Sequence, residues 1–212
     1  MLIARFPSRK GIWVLSVDNT LIERIDFFRL DVTRRLQPER RAVLGQFLTP
    51  APVARLMAAM FVADRSHLRV LDAGAGIGSL SAALIEELCR RREHPQEVDL
   101  TAFEIDQDLI PYLTETFAQC RVASERAGMR FSGEILHADF IQAGVAMLRG
   151  GWFAPERRTF DAVILNPPYR KIHSASRERR LLRSIGVETS NLYTAFLALA
   201  VRLLEPGGEL VA

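Results

Sequence analysis

Cysteine and lysine are almost missing from this 212-residue chain. Cys89 and Cys120 stand alone, without metal-ligand spacing, which excludes a disulfide framework and a cysteine-based metal site and fits reduced packing residues in a cytoplasmic protein. Lys10 and Lys171 are the only lysines, so arginine carries nearly all the basic charge. That suits bidentate phosphate contacts, although genome base composition accounts for more of the bias. No apolar run reaches the roughly 18 residues of a spanning helix. The start, Met1 to Pro7, lacks the long apolar region and cleavage site of a signal peptide, so no membrane partner is expected. Internal repeats and low-complexity stretches are absent too. What remains is 49% hydrophobic and 25% charged, ordinary for a soluble globular chain, and long enough for one sizeable domain. A net charge of +3 permits a polyanionic partner without requiring one.

After residue 50 the pattern alternates between helix and strand. Helices are expected at Ala51–Phe61, Ser79–Arg91, Gln107 to about Ser124, about Ile141–Leu148 and Asn191–Leu204. Strands are expected at Leu68–Asp72, Val98–Glu104, Gly133–Ala138, Phe160–Leu165 and from Glu209, with Pro206-Gly207-Gly208 stopping the last helix. This predicts an α/β fold, a mostly parallel sheet with helices on both faces. Residues 1–40 read as a helical arm. Asn19 or Thr20 would cap a helix running to about Leu36, with Leu21, Ile25, Phe28 and Val32 on one face, and Pro38 would end it. Residues 41–212 read as the main domain. Because Leu210-Val211-Ala212 begins a strand and stops, the domain is expected to be truncated at its C-terminus.

The chemistry gathers at strand ends. Asn166-Pro167-Pro168-Tyr169 follows a buried-looking strand, and the prolines make a stiff loop there. The Asn166 side-chain oxygen and the Pro167 carbonyl can accept hydrogen bonds from an exocyclic amino group, and Tyr169 can stack on its ring. Asp72-Ala73-Gly74-Ala75-Gly76-Ile77-Gly78 joins the first strand to a helix, and its glycines permit a tight turn against a ligand. Glu104 ends the next strand, placed to accept from both ribose hydroxyls. Such a set suits a nucleotide cofactor or S-adenosylmethionine. Asp72, able to meet an ammonium directly or through water, favours the latter. Asp139 could accept from a cofactor adenine with Phe140 over the ring, or simply cap a helix. Between Arg170 and Arg183 six basic residues face one acid, Glu178: a phosphate-binding surface, a solvated helix face or a mobile loop.

In this order the motifs resemble a Rossmann-like class I methyltransferase, specifically the DNA adenine N6-methyltransferases with gamma-type motif order found in restriction-modification and phage defence. The segment Leu44 to Pro50 is similar to that family's upstream cofactor segment, and Asn191-Leu192-Tyr193-x-x-Phe196 also resembles it. The resemblance implies S-adenosyl-L-methionine as cofactor, held by Phe47, Leu48, Thr49, Pro50, Asp72, Ala73, Gly74, Ala75, Gly76, Glu104, Ile105, Asp139 and Phe140. It implies Asn166, Pro167, Pro168 and Tyr169 as the catalytic residues and no metal. The partner would be double-stranded DNA with the target adenine flipped out, alongside cognate restriction or defence subunits. The family's DNA-recognition domain is not recognisable. Two other readings stay open: methylation of a protein glutamine or an RNA base, and a non-catalytic cofactor-binding subunit.

Overall fold

Short runs of β-branched and leucine residues, bounded by turn formers, become five strands in the computed structural model, which describes residues 20–35, 47–150 and 158–212. They are β1 (His67–Ala73), β2 (Glu97–Glu104), β3 (Arg130–His137), β4 (Phe160–Ile164) and β5 (Leu204–Val211). All pair in parallel, in the order β3-β2-β1-β4-β5. The helices among the described residues are α1 (Leu21–Arg35), α2 (Ala51–Ala59), α3 (Ser79–Arg90), α4 (Ile110–Arg126), α5 (Phe140–Arg149), α6 (Arg177–Arg183) and α7 (Leu192–Leu203). The chain runs outward from β1 through β2 to β3, then crosses back to β4 on the other side of β1. Strand order therefore reverses between β1 and β4, and a crevice opens above their carboxyl ends.

Side chains alternate between the two faces of the sheet. Ala162 and Ile164 of β4 join a core formed with α1, α2, α3 and α4, while Val163 and Leu165 join a second core with α5, α6 and α7. At the lower end of the sheet, Asp161 is buried beside Arg69 at 2.9 Å and Arg65 at 3.0 Å. Burial alone would raise its pKa. Hydrogen bonds from the Arg69 side chain and backbone, with the nearby positive charges, outweigh burial and hold the carboxyl below its ordinary value.

Helix α1 starts with a reciprocal cap. Thr20 N–H donates to Glu23 Oε2 at 3.0 Å, and Glu23 N–H donates to Thr20 Oγ1 at 3.4 Å. The Glu86 carboxylate of α3 accepts from Ile22 N at 3.0 Å, placing negative charge at the positive end of α1. Arg55 of α2 ties the corner together through Glu23, Glu86 and Thr20 Oγ1. Leu21, Ile25 and Val32 are buried as expected, and so is Ile22, which the expected face omitted. Asn19, Leu36, Pro38 and Leu44 to Gln46 lie outside the described residues.

Several expectations change: β3 begins at Arg130 rather than Gly133, and α4 begins at Ile110 rather than Gln107. Pro206-Gly207-Gly208 does not separate the last helix from the last strand. Strand β5 begins at Leu204, and its register against β4 shifts between Phe160 and Ala162, so these residues form a bulge within the strand. Gly207 takes φ 77°, and a Cβ on Gly208 would lie 3.0 Å from the Asp161 carbonyl, so both bulge glycines have a steric reason. The basic segment, left open in sequence, folds partly as α6, with Ser176 Oγ capping it by accepting from Arg179 N.

Candidate active site

The glycine loop folds over the end of β2. Gly74 and Ala75 N–H groups both donate to the Phe103 carbonyl at 2.9 Å. Gly74, Gly76 and Gly78 have φ of 77°, 60° and 83°, values that disfavour any side chain. Gly76 N donates to Glu104 Oε2 and Asp106 N to Glu104 Oε1, each at 2.7 Å. Glu104 is thus fixed at the mouth of β2. Burial pushes its pKa up despite these backbone donors.

A cavity rises from this loop, lined by Glu104, Ile105, Asp139, Phe140, Asn166 and Pro168 among others. Phe140 is buried and packs against Phe103 and Phe196. Asp139 caps α5: its Oδ1 accepts from Ile141 N at 2.8 Å while the residue still lines the cavity. A smaller adjoining cavity is lined by Thr49, Ala75, Ser79 and Asn166. Phe47, Leu48, Gly74 and Gly76 contribute to both. Asp72 and Ala73 lie fully buried beneath the loop and line neither, and Pro50 sits beyond them as the N-cap of α2. Ser81 donates to Asp72 Oδ2 at 2.6 Å, whereas Oδ1 has no hydrogen bond. Burial, with a smaller contribution from the negative Glu104, pushes Asp72 up to about 7.

Asn166 follows β4 directly. Its Nδ2 donates to the Phe47 carbonyl at 3.2 Å and to Thr49 Oγ1 at 3.1 Å. Among the described residues its Oδ1 has no partner. Pro167 is buried and Tyr169 is 58% exposed; neither lines either cavity, and the Tyr169 ring stacks on Tyr193 at 5.6 Å and meets Phe47 edge-on at 6.1 Å. The loop is pinned from behind: Ile172 N donates to Ser190 O and Leu192 N to Arg170 O.

Several residues here escaped sequence reading. Ser79, in the first turn of α3, is buried with an unpartnered hydroxyl beside the smaller cavity; its place right after the third glycine was the available signal. Arg170 and Glu178 line the larger cavity, and nothing in the basic segment marked them out from its other charges. Among the described residues no cluster could hold a metal ion.

A parallel sheet in this order, with a glycine loop after β1, an acid ending β2 and a capped loop after β3, defines a Rossmann-like class I methyltransferase fold. In agreement, the chain matches a Listeria monocytogenes protein assigned to the class I S-adenosylmethionine-dependent methyltransferases, with a TM-score of 0.60 over 91% of this chain and 53% of that one, at 15% identity. The chain belongs to the N-6 DNA Methylase family, whose model matches residues 33–211. It is 42% identical over 194 residues to the type II methyltransferase M.BsuBI of Bacillus subtilis, covering 90% of this chain and 37% of that protein. It is 37% identical over 188 residues to the type II methyltransferase M.PstI of Providencia stuartii, covering 89% of this chain and 36% of that one. The chain thus spans little more than a third of the length of these relatives.

Proposed function

We propose that this chain carries the cofactor-binding and methyl-transferring part of a DNA adenine N6-methyltransferase that uses S-adenosylmethionine, working within restriction-modification or phage defence. One observation carries the reading. Beside a cavity lined by Glu104, Asp139 and Phe140, Asn166 has its amide NH2 tied back, so its oxygen is left as an acceptor for an amino group; the carbonyl of Pro167, a buried residue lining neither cavity, would be the second.

The residues fit the cofactor's parts. Glu104 would take the ribose hydroxyls, Ile105 and Phe140 would flank the adenine, and Asp139 would accept from its amino group. The methionine end would occupy the smaller cavity, where the buried Ser79 hydroxyl lacks a partner; the orphaned Asp72 Oδ1 beneath the loop suits an ammonium reached through water. When bound, the cofactor supplies a methyl group on a positively charged sulfur. Asn166 Oδ1 and the Pro167 carbonyl would hold the two N–H bonds of the target amine and turn its nitrogen lone pair toward that methyl. Transfer would form the C–N bond as the C–S bond breaks, with the amine's proton passing to solvent. Positioning and preorganised dipoles provide the acceleration. Adenine within a duplex cannot reach this site, so the base must be flipped, and Tyr169 would receive it by stacking.

The test offers tritiated S-adenosylmethionine with DNA, RNA or protein to the full-length protein. Label is expected in DNA, and Asn166→Ala should cut its incorporation at least about a hundredfold, the scale of losing a preorganised polar contact. Label confined to protein or RNA would move the reading to the glutamine or RNA-base alternative. Cofactor binding without any transfer would favour a non-catalytic subunit.

A further inference from the structure

We propose that Thr49 is a positioning residue for Asn166: together with the Phe47 carbonyl it fixes which way the Asn166 amide faces. The proposal rests on the function proposed above and concerns how its amino-group clamp is set.

An asparagine side chain presents a donor and an acceptor of nearly equal shape, and its last torsion is roughly two-fold. One orientation offers oxygen to a substrate NH2. The other offers NH2 to NH2, a meeting of two donors that binds nothing. The partners on the far side decide between them. The Phe47 carbonyl can only accept, so the group facing it at 3.2 Å must be the amide NH2. Thr49 Oγ1 takes the second N–H at 3.1 Å. With both N–H bonds held, the planar amide keeps no freedom, and its oxygen is left as the acceptor for substrate.

Thr49 is well placed to hold this register. It is 6% exposed and directly precedes Pro50, the N-cap of α2. The helix is tied to α1 by Ala51 N donating to Asp26 Oδ1 at 3.2 Å. Next to it, Leu48 presses on the glycine loop so closely that a Cβ on Gly76 would lie 2.9 Å from Leu48 Cδ2. The resemblance assigns Thr49 to the cofactor, and the residue lines the smaller cavity; its hydroxyl also bonds the amide that would grip the substrate.

The test compares Thr49→Val, which keeps the shape without the hydroxyl, with Thr49→Ser, which keeps the hydroxyl, in the full-length protein. Nitrogen-15 labelling of asparagine reports the Asn166 side-chain amide without any reaction. In Thr49→Val one of its protons should exchange with solvent about tenfold faster or more, and Thr49→Ser should restore protection. In single turnovers at saturating cofactor, Thr49→Val should slow methyl transfer about tenfold and Thr49→Ser by less than about threefold. An unchanged Asn166 amide signal in Thr49→Val would overturn the proposal. So would a rate defect that disappears at saturating cofactor, which would place the hydroxyl on the cofactor. If the parent protein methylates no amino group, the proposed function falls, while the amide measurement still decides the contact.

Discussion

Asp72 carries the cost of a buried carboxylate that Ser81 offsets only in part. It is fully buried and accepts hydrogen bonds from the Ser81 side chain and backbone, and burial lifts its pKa from 3.8 to about 7. Between those two values the folded chain keeps a proton that the unfolded chain has lost, so stability falls as pH rises through that interval, by up to about 4 kcal/mol. Asp72→Asn keeps the shape and the Ser81 contact without the charge. It should raise the thermal midpoint of the cofactor-free protein at pH 7.5, leave it almost unchanged near pH 4, and weaken cofactor binding measured by calorimetry. A lower midpoint at pH 7.5 would show that the carboxylate is stabilised by something other than a ligand. Residues of this kind were legible because a strand end, a glycine and an acid stand next to one another in sequence. The strand-end place of Asn166 was legible because two prolines follow it directly. Thr49 as a partner of Asn166 was not, since the two are 117 positions apart and only the folded sheet brings them together. Tyr193 stacking on Tyr169 escaped likewise.

Elements were read well where their pattern was periodic and poorly where chain direction changed. β1, β2, β4, α3 and α7 fall within a residue or two of expectation, because apolar runs and glycine or proline boundaries mark them. β5 was placed too late: Pro206-Gly207-Gly208 has the composition of a loop, and only pairing with β4 reveals a bulge. The strap that pins residues 170–172 to 190–192 has no local signature either. Helix α1 shows what tertiary contacts add to a cap. Glu86 satisfies the Ile22 N–H and faces Arg55, and Ile22 and Ile25 are fully buried. Removing the carboxylate strands a donor at a helix start, which costs about 1–3 kcal/mol. Glu86→Ala should lower the urea unfolding free energy by that amount without changing cofactor affinity. A change under about 0.3 kcal/mol would mean that α1 is held by its apolar face alone.

At the scale of the whole molecule, two cores clamp one parallel sheet, and the site lies where strand order reverses. Around its mouth the charges divide. Arg179 and Arg183 pair with Glu188, which they hold at about 2, whereas Arg170, Lys171 and Arg177 are exposed and form no ion pair among the described residues. The second set could meet a phosphate backbone, while the first braces α6. Among the described residues no helix is long and apolar enough to cross a membrane. The fold class and family were legible in the strand-end motifs, because methyl transfer needs few groups and the sheet sets their order. Base-sequence specificity was not, because it depends on base-edge contacts and no residue of this chain could be assigned to them. The claim at the centre is that the clamp formed by Asn166 and Pro167 serves the amino group of adenine. Digesting DNA to nucleosides after reaction with the full-length protein, and weighing the methylated product by mass spectrometry, tests it most directly. N6-methyladenine is expected, and it should be lost with Asn166→Ala; methyl found on cytosine instead, or an undiminished yield from Asn166→Ala, would contradict that role.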